Sequence, residues 1–452
     1  FGFNYYVTSE RFLDERLHLY HPSTHGGNTI HSYADVEAVR VEMDEEIGVE
    51  VLLKEAWERY KKPIAITEVH LHCHREEQLR WFKYVWEAAK NQKSNGVNIV
   101  SVTAWAMFGS YGWNKLLTQS DGEYEPGVFD MQGGTPRPTA LKNFIYNIAA
   151  QDNEHHSVSH NKGWWQRSNR FFHKPLIIES ENVFKQHKAP VLIIGKRGTL
   201  GNAFARTCEQ RFINNHLLSR EDCDISDYHS IEKAIEHYKP WAIINAAGYV
   251  RVDDAENDFD ACFRDNVMGP QNLAIACQEK GIKLVTFSSD LVFDGSKRTP
   301  YKETDKVAPL NVYGKSKASA ERLVSEANPS SLIIRTSAFF SPWDQYNFLF
   351  WVINNLKQEQ EIPIANDVII SPTYLPDLVN ASLDLLIDDE NGIWHLINKG
   401  AISWADLAYE VAHAEGLQNK WINAMPVRAL NQPALRPQYS ALQSTKGMYL
   451  PT

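Results

Sequence analysis

The feature that most constrains the fold is a glycine-rich turn that directly follows a short apolar run in the middle of the chain. The run "VLII" begins at Val191, and Gly195, Gly198 and Gly201 follow it in a GxxGxxG spacing. Such a turn between a strand and a helix lets backbone N–H groups and the helix N-terminus face a phosphate. The stretch therefore predicts the start of a dinucleotide-binding fold.

The remainder of the chain alternates between two kinds of pattern. The β-rich runs "VLIIG", "HLLS", "WAIINAA", "KLVTFSS" and "SLIIRTS" are separated by segments with a helical period. Strands that alternate with helices form βαβ units and a parallel sheet. We therefore predict an α/β, Rossmann-like doubly wound parallel sheet with a small C-terminal substrate subdomain.

The first part of the chain follows a different pattern. A length of 452 residues allows two or three domains. Residues 1–150 contain the strand-like starts "FGFNYYV", "PIAITEVHL" and "NIVSVTAW", and residues 151–189 are polar and aromatic without a clear period. We predict a domain at 1–150, an ordered connector at 151–189 and a dinucleotide-binding domain at 190–452.

Charge and cysteine content exclude several classes of partner. The formal net charge is -10 and basic residues do not cluster, which argues against nucleic acid or an anionic membrane as a partner. Apolar runs are far shorter than the ~20 residues that a membrane-spanning helix needs. The five cysteines are scattered and form no CxxC pair, which favours a reducing compartment and a cytoplasmic location.

Three side chains suggest reduction of a carbonyl group. Tyr313 and Lys317 are four residues apart and share a face of a predicted helix. A neighbouring ammonium stabilises a phenolate, so we expect Lys317 to lower the pKa of Tyr313. Ser289, at the end of "KLVTFSS", would hydrogen-bond a carbonyl oxygen while Tyr313 protonates it and a nicotinamide supplies hydride. The alternative is an exposed helix pair without a catalytic role.

The cofactor prediction depends on the turns that follow the first three strands. The small residues of "NAAG" would let a cofactor approach the backbone. Lys196, Arg197 and Arg220 favour NADPH because cations there accommodate a 2′-phosphate, with NADH and solvated surface cations as the alternatives. The predicted cofactor-binding residues in these turns are Gly195, Lys196, Arg197, Gly198, Thr199, Leu200, Gly201, Ser219, Arg220, Asn245, Ala246, Ala247 and Gly248.

From Val191 to about Leu450 the chain resembles the extended short-chain dehydrogenase/reductases, and within them the dTDP-4-dehydrorhamnose reductases. The resemblance rests on "GKRGTLG", "DCDISD", "NAAGYVRVDDAE", "DNVMGPQNLA", "FSSDLVFDG", "YGKSKASAE", "IIRTS", "SPTYLPDL" and "RPQYSAL". It implies a nucleotide-linked 4-keto sugar as substrate, Ser289, Tyr313 and Lys317 as the catalytic trio, and Asp224 with Ile225 near the adenine. A homodimer is left open.

The chain departs from the resembling family at two places. Ala338 and the residues after it replace an aromatic residue and a Tyr-Gly pair, and Gly248 replaces the third alanine of the strand-three motif. The first departure lies where the sugar would pack, so it bears on substrate identity more than on chemistry. A regulatory module is the alternative function, because the regulatory subunit of methionine adenosyltransferase keeps this fold for partner binding. The presence of Ser289, Tyr313 and Lys317 together favours the enzyme.

The N-terminal part resembles the C-terminal portion of family 1 glycoside hydrolases. The segments "GFNYY", "ITE" with Glu68 and "TAWAMFGSYGW" resemble three strands of that TIM barrel, which implies a partial barrel-like domain with Glu68 as nucleophile. A whole barrel takes about 250 residues, and the family's Asn-Glu-Pro acid/base motif is absent here. We expect no glycosidase activity from this chain as it stands. Activity of a longer chain with an upstream half is the alternative, which the start at Phe1 favours.

Histidines in the same region allow a second interpretation. His70, His72 and His74 alternate along the predicted strand and would share one face, as metal ligands do. The spacing places no carboxylate or second ligand cluster beside them. We therefore predict no metal site.

Overall fold

The computed structural model describes residues 1–44, 46–115, 118, 122–151, 155–173, 189–447 and 450. They belong to two compact units, Phe1–Lys188 and Ala189–Thr452. The domain limits drawn from the sequence at 150 and 190 stay predictions. Within the predicted connector, residues 152–154 and 174–188 lie outside the described residues.

The first unit contains a small parallel sheet with helices between its strands. Its strands are β1 Gly2–Tyr5, β2 Arg11–Asp14, β3 His25–Gly27, β4 Ser32–Glu37, β5 Ile64–Val69, β6 Ile99–Ala104, β7 Ser110–Tyr111, β8 Tyr124–Glu125, β9 Phe129–Asp130 and β10 Arg137–Pro138. Its helices are α1 Val49–Tyr60, α2 Arg75–Ser94 and α3 Ala140–Gln151. The three strand-like starts of the sequence are β1, β5 and β6, which pair in parallel in the order β1-β5-β6. That this sheet is part of a barrel remains a prediction.

The second unit alternates strands and helices along its first half. Its strands are β11 Val191–Ile194, β12 Asn215–Leu218, β13 Ala242–Asn245, β14 Lys283–Ser289, β15 Leu332–Thr336, β16 Phe339–Phe340, β17 Ile362–Ala365, β18 Ile369–Ile370, β19 Thr373–Tyr374, β20 Gly392–His395, β21 Ile402–Ser403 and β22 Ile422–Met425. Its helices are α4 Thr199–Gln210, α5 Tyr228–Tyr238, α6 Phe259–Phe263, α7 Gly269–Lys280, α8 Val312–Ala327, α9 Phe348–Lys357, α10 Leu375–Ile387 and α11 Trp404–Ala414. None of the described helices combines the length and the apolar character that crossing a membrane requires.

A six-stranded parallel sheet forms the centre of this unit. The strand order is β12-β11-β13-β14-β15-β20, and each neighbouring pair is parallel. The chain runs outward from β11 to β12 and then returns to the other side of β11 for β13. Such a reversal opens a crevice at the carboxyl ends of the strands, where ligands bind in this class of fold. The Rossmann-like part of the predicted fold is confirmed.

Apolar side chains of the strands build the main core on one face of this sheet. Leu192, Ile243 and Leu284 project from adjacent strands and pack with Ile231 of α5 and Leu273 of α7. Strands rich in apolar residues alternate with helices that have one apolar face, and this alternation produces the layer. A second core lies among α9, α11, β17 and β22, in the region of the predicted substrate subdomain.

The segment at residues 259–280, between β13 and β14, is not one continuous α-helix. That segment divides into α6, a π-helical turn at Arg264–Met268, and α7. The turn buries the side chain of Asn266, which bonds the backbone of Tyr249 at both its N–H (2.8 Å) and its carbonyl oxygen (2.9 Å). A π-turn of this kind inserts one extra residue and redirects a side chain, often at a functional site.

A buried ion pair fixes α8 on the sheet, and its removal should destabilise the second unit. Arg335 of β15 donates to both carboxylate oxygens of Glu321 at 2.7 and 2.6 Å, and both side chains are buried. Glu321→Gln would leave the guanidinium buried without its counter-charge. We expect the free energy of unfolding to fall by about 3–5 kcal/mol, measured by urea denaturation.

The control for this experiment lies on the same helix. Glu326 makes an exposed i,i+4 pair with Arg322 at 3.0 Å, so Glu326→Gln should cost less than about 1 kcal/mol. Equal small losses for the two variants would contradict the role given to the buried pair.

Candidate active site

Glycines bring three backbone segments together at the carboxyl edge of the sheet. Gly195 has a φ of +127°, and a Cβ there would lie 2.8 Å from the carbonyl group of Ala246. A Cβ on Gly201 would collide with the carbonyl oxygen of Gly195. The turn after β11, the end of β13 and the first turn of α4 therefore pack backbone against backbone, which only glycine allows at these two positions.

The start of α4 fits the pyrophosphate of a dinucleotide. The helix is 12 residues long and begins at Thr199, with Gly198 as its N-cap and no side chain in the capping position. Asn202 closes the turn from behind, because its side-chain amide donates to the carbonyl oxygens of Lys196 (2.7 Å) and Gly198 (2.8 Å). The N–H groups of the first turn receive no side-chain cap from Gly198, and a helix N-terminus of this kind stabilises an anion. The residues of the predicted turn thus fit the proposed cofactor.

The cations predicted to favour NADPH already have acidic neighbours. Arg197 pairs with Glu221 at 2.6 Å on an exposed surface. Arg220 lies between Asp224 (3.0 Å) and Asp265 (3.3 Å), and these carboxylates raise its pKa. Both guanidinium groups follow the ends of β11 and β12, where the ribose of a dinucleotide would lie in this fold.

Several of the other predicted cofactor-binding residues are held by contacts within the protein. The Ile225 side chain is buried and packs against Gly269, so only its backbone is available to a ligand at the edge. Asp224 accepts from the Ser226 hydroxyl (2.7 Å), and the Ser219 hydroxyl donates to Asp222 (2.8 Å). Proximity of Asp224 and Ile225 to an adenine stays a prediction.

The turn after β13 is held by side-chain hydrogen bonds. Asn245 is buried, and its amide oxygen accepts from the N–H of Ala247 at 3.2 Å. A Cβ on Gly248 would lie 2.8 Å from Oδ1 of Asn266 and 3.6 Å from Nζ of Lys317. The departure at Gly248 is therefore explained in this chain by the close approach of Asn266. Sequence reasoning did not single out Asn266, although it lies in the quoted "DNVMGPQNLA".

Ser289 and Tyr313 line one cavity at the carboxyl edge. The cavity has a volume of about 560 Å³ and lies within the second unit, between the sheet edge and the substrate subdomain. Ser289 ends β14, and Tyr313 lies in the first turn of α8. The other residues that line the cavity include Asp290, Ser337, Ala338, Phe348, Trp351, Trp404, Arg436 and Ser440. This volume is within the range of small-molecule sites.

Lys317 lies close to Tyr313, but the prediction that it lowers the pKa of Tyr313 is wrong. Its Nζ is 5.7 Å from the centre of the Tyr313 ring and donates to the carbonyl oxygen of Phe287 at 3.2 Å. Burial raises the pKa of Tyr313, and the charge of Asp290 raises it further. Burial also lowers the pKa of Lys317 to about 8. Desolvation therefore outweighs the ammonium–phenol attraction on which the sequence argument relied.

Asp290 is the second site residue that sequence reasoning missed. It follows Ser289 directly, is buried, and its carboxylate accepts from the hydroxyls of Ser289 (2.9 Å), Ser337 (2.9 Å) and Ser440 (2.6 Å). Burial raises its pKa, and the three serine bonds oppose that rise. The motif "FSSDLVFDG" displayed this residue, but its serine partners are distant in sequence.

In the first unit, the predicted histidine pattern does not form. Strand β5 ends at Val69 and His74 caps α2, so His70, His72 and His74 do not alternate along a strand. His70 bonds Glu125, and Nδ1 of His72 lies 3.9 Å from the same carboxylate. Among the residues that the structure describes, no group of three or more His, Cys, Asp or Glu side chains is placed to hold a metal ion.

Comparison with known proteins agrees with this geometry. Residues 189–449 match the model of the RmlD substrate binding domain family. The chain is 34% identical over 270 residues to dTDP-4-dehydrorhamnose reductase of Aggregatibacter actinomycetemcomitans, with 57% of this chain and 92% of the relative covered. It is 31% identical over 252 residues to the spore coat polysaccharide biosynthesis protein SpsK of Bacillus subtilis, with 56% and 88% covered.

A solved structure supports the same conclusion. The Bacillus anthracis dTDP-4-dehydrorhamnose reductase in complex with NADP superposes with a TM-score of 0.54 at 31% identity, over 57% of this chain and 90% of that chain. Fold and site define an NAD(P)H-dependent oxidoreductase, and the prediction of an enzyme is confirmed. Because more than half of the chain matches the family model, the chain belongs to the RmlD family. The predicted homodimer, cytoplasmic location and absence of nucleic acid stay predictions.

The lowered pKa of Lys317 should make stability depend on pH. The buried ammonium titrates near 8, while an unfolded lysine keeps its proton to about 10.5. Between these values the unfolded state binds more protons, so raising the pH stabilises the fold. We expect the free energy of unfolding of the wild type, relative to Lys317→Met, to rise by about 2 kcal/mol from pH 7.5 to 9.5.

The measurement is urea denaturation across that pH range. Lys315→Met is the control, because Lys315 is exposed on the same helix, and its pH dependence should match that of the wild type. A wild type and Lys317→Met variant with parallel pH profiles would contradict burial of a titrating ammonium.

Proposed function

We propose that the second unit catalyses the NADPH-dependent reduction of the keto group of a nucleotide-linked 4-keto-6-deoxysugar. The specific proposal is the conversion of dTDP-4-dehydro-L-rhamnose to dTDP-L-rhamnose, the activity for which several relatives are named. The observation that carries the proposal is the position of Ser289 and Tyr313 on the wall of one large cavity. That cavity lies at the same sheet edge as the glycine turn.

The chain's own residues account for the proton that the reaction needs. A nicotinamide bound at the glycine turn would supply hydride to the carbonyl carbon. Tyr313 is a protonated phenol at neutral pH, because burial and Asp290 raise its pKa, and it would give its proton to the carbonyl oxygen. The low pKa of Lys317 lets its amine supply or accept a proton near neutral pH behind the phenol.

The cavity suits a nucleotide sugar in its mixed lining. The rings of Phe348, Trp351 and Trp404 offer apolar faces to a base. Arg436 brings a positive charge, and Asp253 holds its guanidinium in place. Ala338, which has a φ of +36°, stands on the wall where the resembling family has an aromatic residue. This exchange is the feature most able to alter sugar preference.

NADPH is the proposed cofactor. Support comes from the NADP complex of the Bacillus anthracis relative and from the cations Arg197 and Arg220 at the ends of β11 and β12. A bound 2′-phosphate would take the place of some of the carboxylates that pair with these two guanidinium groups.

Tyr313→Phe tests the proposed function. With dTDP-4-dehydro-L-rhamnose as substrate, we expect the wild type to oxidise NADPH faster than it oxidises NADH. Oxidation of either cofactor is measured as the loss of absorbance at 340 nm. Loss of the phenol should reduce kcat by about 10² to 10⁴-fold while the dissociation constant for NADPH, measured by fluorescence, stays within twofold.

Tyr228→Phe is the matched control, because Tyr228 bonds Glu279 on the surface and its loss should leave kcat unchanged. NADPH binding without turnover in the wild type would contradict the reductase and favour the regulatory alternative.

A carbohydrate-directed function of the first unit is a second candidate, and one contact favours it. The Tyr6 hydroxyl donates to Glu68 at the carboxyl ends of the adjacent strands β1 and β5. Burial raises the pKa of Tyr6, and the carboxylates of Glu68 and Glu125 raise it further. Two carboxylates therefore lie near one phenol, and a pair of carboxyl groups is what glycoside hydrolysis uses.

Aryl-glycoside hydrolysis tests this candidate in the chain with and without additional upstream sequence. Hydrolysis that Glu68→Gln abolishes, and that Glu55→Gln on the exposed face of α1 leaves intact, would support it. No release of the aryl group by either form would refute it.

A further inference from the structure

We propose that the segment 341–347 forms a second wall of the site for the cofactor's diphosphate, opposite the start of α4, and that the Ser341 hydroxyl donates a hydrogen bond to a phosphate oxygen there. The proposal rests on the reductase function proposed above, which requires NADPH. It assigns a ligand contact to a side chain outside the cavity that Ser289 and Tyr313 line.

A separate cavity of about 260 Å³ lies beside the glycine turn, within the second unit. One wall consists of Arg197 and of residues in the first two turns of α4. The other wall consists of residues of the 341–347 segment, which joins β16 to α9. Gly198 and Thr199 belong to the first wall, and there the helix begins without a side-chain cap. The cavity therefore includes the helix end that fits an anion.

Ser341 gives this cavity a buried hydroxyl group that the protein leaves unpaired. The residue is 5% exposed and lines the cavity. Within the part of the chain that the structure describes, no group forms a hydrogen bond with its Oγ. A buried hydroxyl without a partner costs free energy, and native proteins seldom leave one in that state. A charged phosphate oxygen is a strong acceptor that would remove this cost.

Two asparagine side chains occupy carbonyl oxygens on both walls. Asn202 donates to two carbonyl oxygens of the glycine turn. Asn347 donates in the same way to the carbonyl oxygens of Ser341 (3.0 Å) and Asp344 (2.6 Å). These carbonyl groups are thus engaged, whereas the N–H groups at the start of α4 have no side-chain cap. The cavity therefore offers hydrogen-bond donors, which a diphosphate requires.

The charges around the cavity also favour an anion. Arg197 and Arg206 line it, and guanidinium groups stay protonated in proteins. The Arg206 guanidinium lies 4.2 Å from the centre of the Trp343 ring, which connects the two walls. Among the described lining residues, Asp344 alone carries a carboxylate, and its Oδ1 accepts from the N–H of Tyr346 at 2.9 Å within the same segment. Two cations thus outnumber one carboxylate.

The cofactor is the source of the diphosphate in this proposal. A nucleotide sugar carries a diphosphate too, but Ser289 and Tyr313, which would act on its keto group, line the larger cavity. The smaller cavity adjoins the glycine turn, where a dinucleotide binds in this class of fold. The stretch after Ala338, which includes Ser341, is where this chain departs from the resembling family. The resemblance therefore does not supply this contact.

Ser341→Ala tests the contact through cofactor binding. We expect the dissociation constant for NADPH, measured by fluorescence titration, to rise about tenfold, because a hydrogen bond to a charged group is lost. Adenosine 2′-monophosphate carries the adenosine and the 2′-phosphate but no diphosphate, and dTDP carries the diphosphate of the substrate. The dissociation constants of these two probes, measured by calorimetry, should change by less than about twofold.

Ser331→Ala is the matched control. Ser331 is also buried, with a hydroxyl that has no hydrogen-bond partner among the described residues, but it precedes β15 at the opposite edge of the sheet. Removing an unpaired hydroxyl breaks no hydrogen bond, so neither variant should lower the melting temperature of the ligand-free chain. Only Ser341→Ala should weaken NADPH binding. Ser341→Gly removes the same hydroxyl and serves as the measurement should Ser341→Ala not fold, as judged by circular dichroism.

An unchanged dissociation constant for NADPH, an equal loss for adenosine 2′-monophosphate, or a loss confined to dTDP would overturn the proposal. So would a lower melting temperature of ligand-free Ser341→Ala, because the hydroxyl would then have a structural partner. Turnover by the wild type, with NADPH binding that does not depend on Ser341, would leave the reductase in place and refute only this contact. NADPH binding that depends on Ser341, without turnover, would do the reverse.

Discussion

The backbone contact between the glycine turn and the end of β13 is the constraint on which the site depends. No side chain fits between Gly195 and Ala246, or between Gly201 and the Gly195 carbonyl. The strand β11, its neighbour β13 and the helix α4 therefore converge at the point where the sheet reverses its order. A crevice is left beyond that point, and the neighbouring strand β14 delivers Ser289 to its wall.

Burial, more than any single charge pair, sets the chemistry of this wall. It raises the pKa of Tyr313 and of Asp290 and lowers that of Lys317. Each change disfavours the charged form, as desolvation does. A neutral phenol beside an amine that titrates near 8 is suited to release a proton during a reduction. An ammonium that acidified the phenol in advance would instead favour the reverse, oxidative direction.

Sequence predicted what depends on local pattern. Strand β14 spans Lys283–Ser289, the same residues as the predicted run "KLVTFSS", because its central Leu, Val, Thr and Phe residues favour a strand. The hydrogen-bond partners of Asp290 could not be predicted from local pattern. Ser337 is 47 residues from Asp290 along the chain, and Ser440 is 150 residues from it. The prediction that the histidines alternate along a strand was wrong because the strand is shorter than the sequence pattern indicated. Strand β5 ends at Val69, before the first of these histidines.

The cations near the cofactor site show that identifying a residue from the sequence does not establish how much it contributes to cofactor selectivity. Arg197 and Arg220 were both predicted from their positions, but the structure gives them different surroundings. The Arg197–Glu221 pair is exposed, and such a pair is worth less than about 1 kcal/mol, so a 2′-phosphate can displace the carboxylate at little cost. Arg220 is shared by Asp224 and Asp265, and moving it to a phosphate would leave two carboxylates adjacent. Preference for a phosphorylated ribose therefore depends more on Arg197 than on Arg220.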